Sequence, residues 1–319
     1  MNTASSSLEM SRRKFLVAGG FTAAAAYLIP RSVFAQTGDL VGNALKESAT
    51  AKITTQTLRR NISVLLGPGG NIAVLSGPDG KVLVDAEIIT AGPNVSAALA
   101  SINADPIKQL INTHWHFDHT GGNEWVHKAG ASILAQENTR RHLLVDTRVE
   151  GWKHTFPAAP AGAIPSTVFK EDYTLRVNNT TLVLKHYPPA HTDSDISVHF
   201  VEADILHVGD TFWNRDYPFI DYSTGGSIHG QIRAAEANLA MVTDKTIVIS
   251  GHGAVGGKAD LILFRDVLVE IRDKVATLKK QGNSLPEVVA AKPSARYDAE
   301  WGNLFMTPAA FVALVYEGV

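Results

Sequence analysis

The chain has 319 residues, 45% hydrophobic and 19% charged, with a formal net charge of −2, twelve histidines and no cysteine. That is enough chain for one large domain with its own core. The missing cysteines exclude disulfides, thiolate metal ligands and a cysteine nucleophile, and the lack of a basic patch in the body of the chain argues against nucleic acid as a partner.

The first segment reads as an address. Ser11-Arg12-Arg13-Lys14-Phe15-Leu16 resembles a twin-arginine export motif, an apolar stretch rich in Ala and Gly follows at 17–29, and Val33-Phe34-Ala35 supplies a small-x-small cleavage site. Basic start, short apolar run and small-residue end, in that order, mark a removable signal peptide at 1–35. The apolar run is too short for a stable membrane helix, so no membrane span is expected after cleavage. The expected partner is the twin-arginine export machinery, which carries folded and metal-loaded proteins, and the expected location is the periplasm or the cell exterior. Four cations against Glu9 give this segment a net +3, so its loss takes the formal charge from −2 to −5. Residues 36–50, small and polar, are expected as a linker, and 51–319 as the domain.

Within that domain, strands are predicted over 53–58, 62–66 and 72–75, punctuated by Gly67-Pro68-Gly69-Gly70 and Gly77-Pro78-Asp79-Gly80 as hairpin turns. A strand over 81–88 that ends near Asp85, a helix over 94–103 and a strand over 107–113 come next. A helix begins near Asn123, a short strand covers 132–136, and 138–145 is helical. Strands are then expected at 175–177, 181–186, 197–201 and 205–208, and helices at 230–242 and 259–280, the second long and amphipathic. The tail 297–316 is expected to pack on the body. Strand-rich and helical segments recur in both halves, which implies a duplicated sandwich with sheets inside and helices outside.

The apolar run 107–111 delivers His114-Trp115-His116-Phe117-Asp118-His119, three imidazoles and a carboxylate in six residues. On a turn after a strand, His114 and His116 face the same side, because side chains alternate along an extended backbone. Asp118 and His119 fall on the returning turn, free to face a second point, so two metals could be held. Imidazole and carboxylate are the usual ligands of Zn²⁺. Further candidates end later apolar runs at Gly- or Pro-marked turns: His191 in Pro188-Pro189-Ala190-His191, Asp210 after 205–209, and His252 in Ser250-Gly251-His252-Gly253. The set is all nitrogen and oxygen, which suits Zn²⁺ and leaves Fe or Mn open.

A His-x-His-x-Asp-His motif followed by separated His, Asp and His residues resembles the metallo-β-lactamase-fold hydrolase superfamily, from about Ile53 to the C-terminus. The resemblance implies an α+β four-layer αβ/βα sandwich with two metals at one edge. It implies His114, His116 and His191 on the first metal, Asp118, His119 and His252 on the second, and Asp210 bridging both. It also implies a metal-bridging hydroxide as nucleophile, with Asp118 orienting it or passing a proton to the departing atom.

These readings converge on a periplasmic hydrolase with two Zn²⁺ per chain, cleaving an ester, lactone, thioester or β-lactam-type amide bond of a small-molecule substrate. Asp210 stands where dedicated β-lactamases of the family carry Cys or Ser, which favours the glyoxalase-II-like and lactonase branches. Two other classes compete: a mononuclear-iron sulfur dioxygenase-like oxidoreductase of the same fold, and a non-enzymatic metal binder. The aromatic loops 151–168 and 212–229 can shape a substrate pocket. In the second, Trp213 and Arg215 are the candidate substrate contacts, Arg215 for a carboxylate.

Overall fold

The structure is a computed structural model that describes residues 39–302 and 305–319. The expected signal peptide, with Arg12 and Arg13, lies outside the described residues. Strands Ile62–Leu66, Ile72–Leu75 and Lys81–Val84 are buried at every position. Strands read as unbroken apolar runs when both of their faces are covered.

The covering is a four-layer arrangement. A seven-stranded sheet runs, in spatial order, through Thr54–Thr57, Ile62–Leu66, Ile72–Leu75, Lys81–Val84, Ile107–Ile111, Ser132–Gln136 and Thr167–Phe169. A five-stranded sheet runs through Asp172–Val177, Thr180–His186, Ile196–Phe200, Ile205–His207 and Ile247–Ile249. Each starts as an antiparallel meander of four strands and then continues by parallel pairing. The two halves thus repeat one plan, as the duplicated pattern predicts.

Val64, Val82, Val84 and Ile111 of the first sheet meet Leu182, Leu184, Val198 and Phe200 of the second in one apolar layer. On the outer face of the first sheet, Leu65, Val74 and Leu83 take the helix Gly92–Ile102 through Val95 and Leu99. The outer face of the second sheet is covered by helices Ile228–Met241, Lys258–Lys280 and Pro308–Gly318. Lys258–Lys280 buries Leu261, Phe264, Val267, Leu268, Ile271 and Val275, the three-and-four spacing of an amphipathic helix. Among the described residues, no helix is long and apolar enough to cross a membrane.

Two differences from the sequence reading concern boundaries. Residues expected as linker form the helix Leu40–Ser48, capped by Asp39 Oδ1, which accepts from Gly42 N at 2.9 Å. Its Val41 packs in the large apolar cluster of the second half. The small, polar composition hid two apolar positions three residues apart. The loop 151–168 contains the hairpin strand His154–Phe156, paired with Thr147–Val149, and its end joins the start of the edge strand Thr167–Phe169. The strand expected to end near Asp85 does so: it is Lys81–Val84, and the backbone of Asp85 turns left-handed at φ 69°. If residues 40–48 belong to the domain, Val41→Asp costs at least ~2 kcal/mol of folding stability, the cost of an unpaired charge under an apolar layer. Urea unfolding measures it; an unchanged midpoint would return the segment to a linker.

Candidate metal centre

The carboxyl ends of the parallel strands open on one edge, where ligands collect in sheets of this kind. Strand Ile107–Ile111 delivers His114 and His116, and the short helix Phe117–Thr120 brings back Asp118 and His119. His191 follows Thr180–His186, Asp210 lies in the turn Gly209–Thr211 after Ile205–His207, and His252 follows Ile247–Ile249. The structure brings all seven expected ligand residues together. The ligand atoms of His114, His116 and His191 lie within 4.8 Å of one another, as do those of His114, His119 and Asp210, and those of Asp118, His119 and His252. Asp210 Oδ2 stands between the two outer sets, 3.4 Å from His191 Nε2 and 3.3 Å from His252 Nε2.

The hydrogen bonds behind the imidazoles decide which nitrogen faces inward. His119 Nδ1 donates to Asp85 Oδ2 at 2.8 Å, His116 Nε2 to Asp221 Oδ2 at 3.1 Å, and His191 Nδ1 to the Phe219 carbonyl at 2.7 Å. Thr113 Oγ1 donates to Asp85 Oδ2 at 2.7 Å and so accepts from His114 Nδ1 at 3.1 Å. With one nitrogen of each ring donating outward, the other carries a bare lone pair toward the centre.

Those lone pairs test whether a cation fits. His116 Nδ1 and His191 Nε2 face each other at 2.9 Å, an arrangement that repels unless positive charge lies beside them. His114 Nε2 and Asp118 Oδ1 are buried with no hydrogen-bond partner among the described residues. Orphaned polar atoms of this kind cost about 1–3 kcal/mol each, and a divalent cation removes that cost. The donor set fits Zn²⁺.

Electrostatics agrees. Burial holds His114 and His116 below their usual range, His114 far below, so both stay neutral ligands. Burial also opposes charge on His119 and His252, but Asp210 and its neighbouring carboxylates override it. His119 is held well above its ordinary value and His252 is lifted to about 10. Burial pushes Asp210 up, yet His252, His119 and His191 outweigh it and hold the carboxyl far below its usual range. The pocket favours positive charge, whether a proton or a metal supplies it.

Residues 66–252 match the family model of the metallo-β-lactamase superfamily. The chain belongs to that superfamily. It is 28% identical over 171 residues to a hydroxyacylglutathione hydrolase of Polaromonas sp., a match covering 53% of this chain and 57% of that one. It is also 28% identical over 149 residues to the hydroxyacylglutathione hydrolase of Rhodospirillum rubrum, covering 46% and 48%. The chain thus spans about half the length of the curated relatives it matches. Among solved structures, the stereoselective inverting sec-alkylsulfatase Pisa1 from Pseudomonas sp. superposes with a TM-score of 0.61 at 17% identity, over 86% of this chain and 52% of that one. The DIM-1 metallo-β-lactamase superposes with a TM-score of 0.53 at 21% identity, over 68% of this chain and 97% of that one. At such identities the likeness speaks for the fold.

This superfamily member surrounds its centre with residues that sequence reasoning missed. Asp85 and Glu87 are fully buried and left-handed, at φ 69° and 63°. A non-glycine residue in that region is strained and marks a constrained site. Asp85 also accepts from Thr113 N at 2.7 Å, so one carboxylate steers both His119 and, through Thr113, His114. Glu87 accepts from Gly69 N and Ile88 N, both at 2.9 Å. Asn71 Nδ2 donates to the carbonyls of Ser250 and Gly253 at 2.9 Å, and Gly70 N donates to Asp118 O at 2.9 Å. The Gly67–Asn71 turn is therefore an anchor between the His114–His119 segment and the His252 loop. Two approaches require glycine: a Cβ on Gly70 would stand 2.3 Å from His119 Cε1, and one on Gly251 1.9 Å from Asp210 Oδ1. The one visible signal was position, since Asp85 and Asp221 each directly follow a short apolar run.

The aromatic loops form the walls. Trp213 pairs with His252 across two short parallel strands and lays its ring 4.1 Å from the imidazole. It is buried, so it holds His252 in place. Arg215, expected at a substrate carboxylate, is instead engaged by Glu300 at 2.7 Å and Asp260 at 3.5 Å. Its left-handed backbone, φ 65°, sits one residue after the paired strand ends, and two carboxylates take up its guanidinium. Next to it, Asp216 is buried and accepts from Tyr217 N at 2.8 Å and Phe305 N at 2.9 Å, which holds Phe305 with its ring centroid 6.3 Å from that of His252.

Two outcomes follow from these supports. Asp85→Asn weakens metal binding about 10–100-fold, read by competition with a chromogenic chelator; unchanged affinity would remove Asp85 as the steering group. Burial lifts Asp216 to about 7, above the 3.8 of an open chain, so the folded state holds its proton more tightly. Its contribution to stability is full below pH ~4 and is lost as pH rises toward 7. The stability difference between the parent and Asp216→Asn should fall across that window in pH-resolved unfolding, and a flat difference would refute it.

Proposed function

We propose that this chain is a metal-dependent hydrolase with two zinc ions, acting on an ester or thioester bond. The observation that carries the reading is the inward convergence of seven nitrogen and oxygen ligand residues, six of them buried and His252 partly so, with Asp210 Oδ2 between two sets. His114, His116 and His191 would hold one ion, Asp118, His119 and His252 the other, and Asp210 would touch both. When bound, the ions supply Lewis acidity and bring a water near neutrality in pKa. The likeness to hydroxyacylglutathione hydrolases supports a thioester or related acyl bond.

The chain's own groups divide the remaining work. Asp118 Oδ2 lies 3.3 Å from His252 Nε2, while Oδ1 is free to accept a proton from an attacking water and to hand it to the leaving atom. His252 is the most open of the imidazoles, with 13% of its side chain exposed, so substrate enters on its side. Trp115, Trp152 and Phe219 surround His116 and keep bulk water from the other side. The Arg12-Arg13 motif supports export by the twin-arginine route and action in the periplasm or outside the cell.

Metal content by plasma mass spectrometry, with hydrolysis of lactones, thioesters and a chromogenic cephalosporin on the same sample, tests the reading. Two zinc ions per chain are expected, with turnover lost to a chelator and restored by zinc. Asp118→Asn should stay folded and lose about 10²–10⁴-fold in kcat. One iron and no hydrolysis would move the protein to the oxidative branch. Metal without turnover on any substrate would leave a metal binder.

A further inference from the structure

Helix Pro308–Gly318 is apolar on two faces. Phe311, Val312 and Val315 are buried in the body. Ala310, Ala313, Leu314 and Glu317, at the spacing of a single helix face, line a cavity of about 510 Å³. Trp152, Phe219 and Phe305 contribute to the same lining. These three rings also touch the candidate centre. Trp152 lies 4.8 Å from His116, Phe219 6.2 Å from both His116 and His191, and Phe305 6.3 Å from His252, ring centroid to ring centroid. The cavity and the candidate centre thus share these three rings as a common border.

The lining sets the chemistry of an occupant. Among the described residues, Glu317 is the sole charged residue of the lining, and no lysine or arginine lines it. An anionic group placed there would be desolvated without a counter-charge. An apolar cavity of about 150 Å³ already takes a benzene ring, and this one is more than three times larger. We propose that it receives the alkyl or aryl part of the substrate, so that the bond cleaved belongs to a medium-chain or aromatic ester or thioester. This rests on the hydrolase reading for the cleavage and on the cavity alone for the tail. A glutathionyl group, with its carboxylates, does not suit this cavity.

The test uses the purified full chain and two independent readouts. Calorimetric titration with 1-octanol, a neutral probe, reports the cavity without calling on turnover. Hydrolysis of p-nitrophenyl acetate, butanoate and octanoate, in which water yields the carboxylate and nitrophenol, reports chain-length selectivity. Saturable octanol binding is expected. The octanoate-to-acetate ratio of kcat/KM should be on the order of a hundredfold, since each of the six added methylenes is worth about twofold when half of its surface is buried. Ala313→Trp fills the cavity and should weaken octanol binding and shrink the ratio, each by about tenfold, or ~1.4 kcal/mol. Ala310→Leu is the milder filling and should move both readouts the same way if the larger ring prevents folding. Octanol binding that the filling variants weaken, with no ester turned over, would keep the tail site and reject the hydrolase. Turnover indifferent to chain length, with octanol binding absent or unmoved by the variants, would reject the tail site and keep the hydrolase.

Discussion

Imidazoles can crowd around one point only if their protons are turned away from it. In this chain Asp85, Asp221, Thr113 and the Phe219 carbonyl take those protons, leaving the lone pairs of His119, His116, His114 and His191 facing inward. Two such lone pairs meet at 2.9 Å. The arrangement is stable only with positive charge at the centre, and the carboxylates of Asp118 and Asp210 strengthen that demand. The strained backbone at Asp85 and Glu87, the glycines pressed against His119 and Asp210, and the anchoring of the Asn71 turn all serve this one requirement.

Strain of this kind persists where the surroundings over-determine it. The surroundings here are two sheets with a shared apolar layer and strand ends aligned on one edge. The parallel pairings of Lys81–Val84 with Ile107–Ile111, and of Ile205–His207 with Ile247–Ile249, bring residues from both halves to that edge. A one-residue slip in either pairing would turn its side chains to the opposite face, which ties the geometry of the centre to the packing of the core.

The second half adds the aromatic walls. Trp152 stacks on Phe219, Trp213 lies tilted against His252, and Phe305 reaches the same region from the C-terminal segment, held by Asp216. These rings exclude water from the ligands on one side and border the cavity beside helix Pro308–Gly318 on the other. The same aromatic side chains thus border both the charged centre and an apolar compartment. That division of polar and apolar work is common to sites that position a small molecule.

The candidate ligand set was legible in the sequence because His114, His116, Asp118 and His119 fall within six residues and His191, Asp210 and His252 each follow an apolar run at a marked turn. The strands were legible for a similar reason: runs such as 62–66 and 72–75 carry their own apolar pattern. Other features were not. Asp85 and Asp221 are single carboxylates after apolar runs, and their partners lie 34 and 105 residues away along the chain. The helix Leu40–Ser48 and the engagement of Arg215 by Glu300 and Asp260 likewise depend on neighbours remote in sequence. By itself the sequence determined which groups could bind a metal and on which strand ends they would sit, because residue type and local periodicity are written in it. Tertiary structure alone decided which nitrogen of each imidazole faces the centre, which carboxylates hold it there, and which aromatic rings wall it. Those are contacts between distant segments, and only the packing of the two sheets brings them within hydrogen-bonding reach.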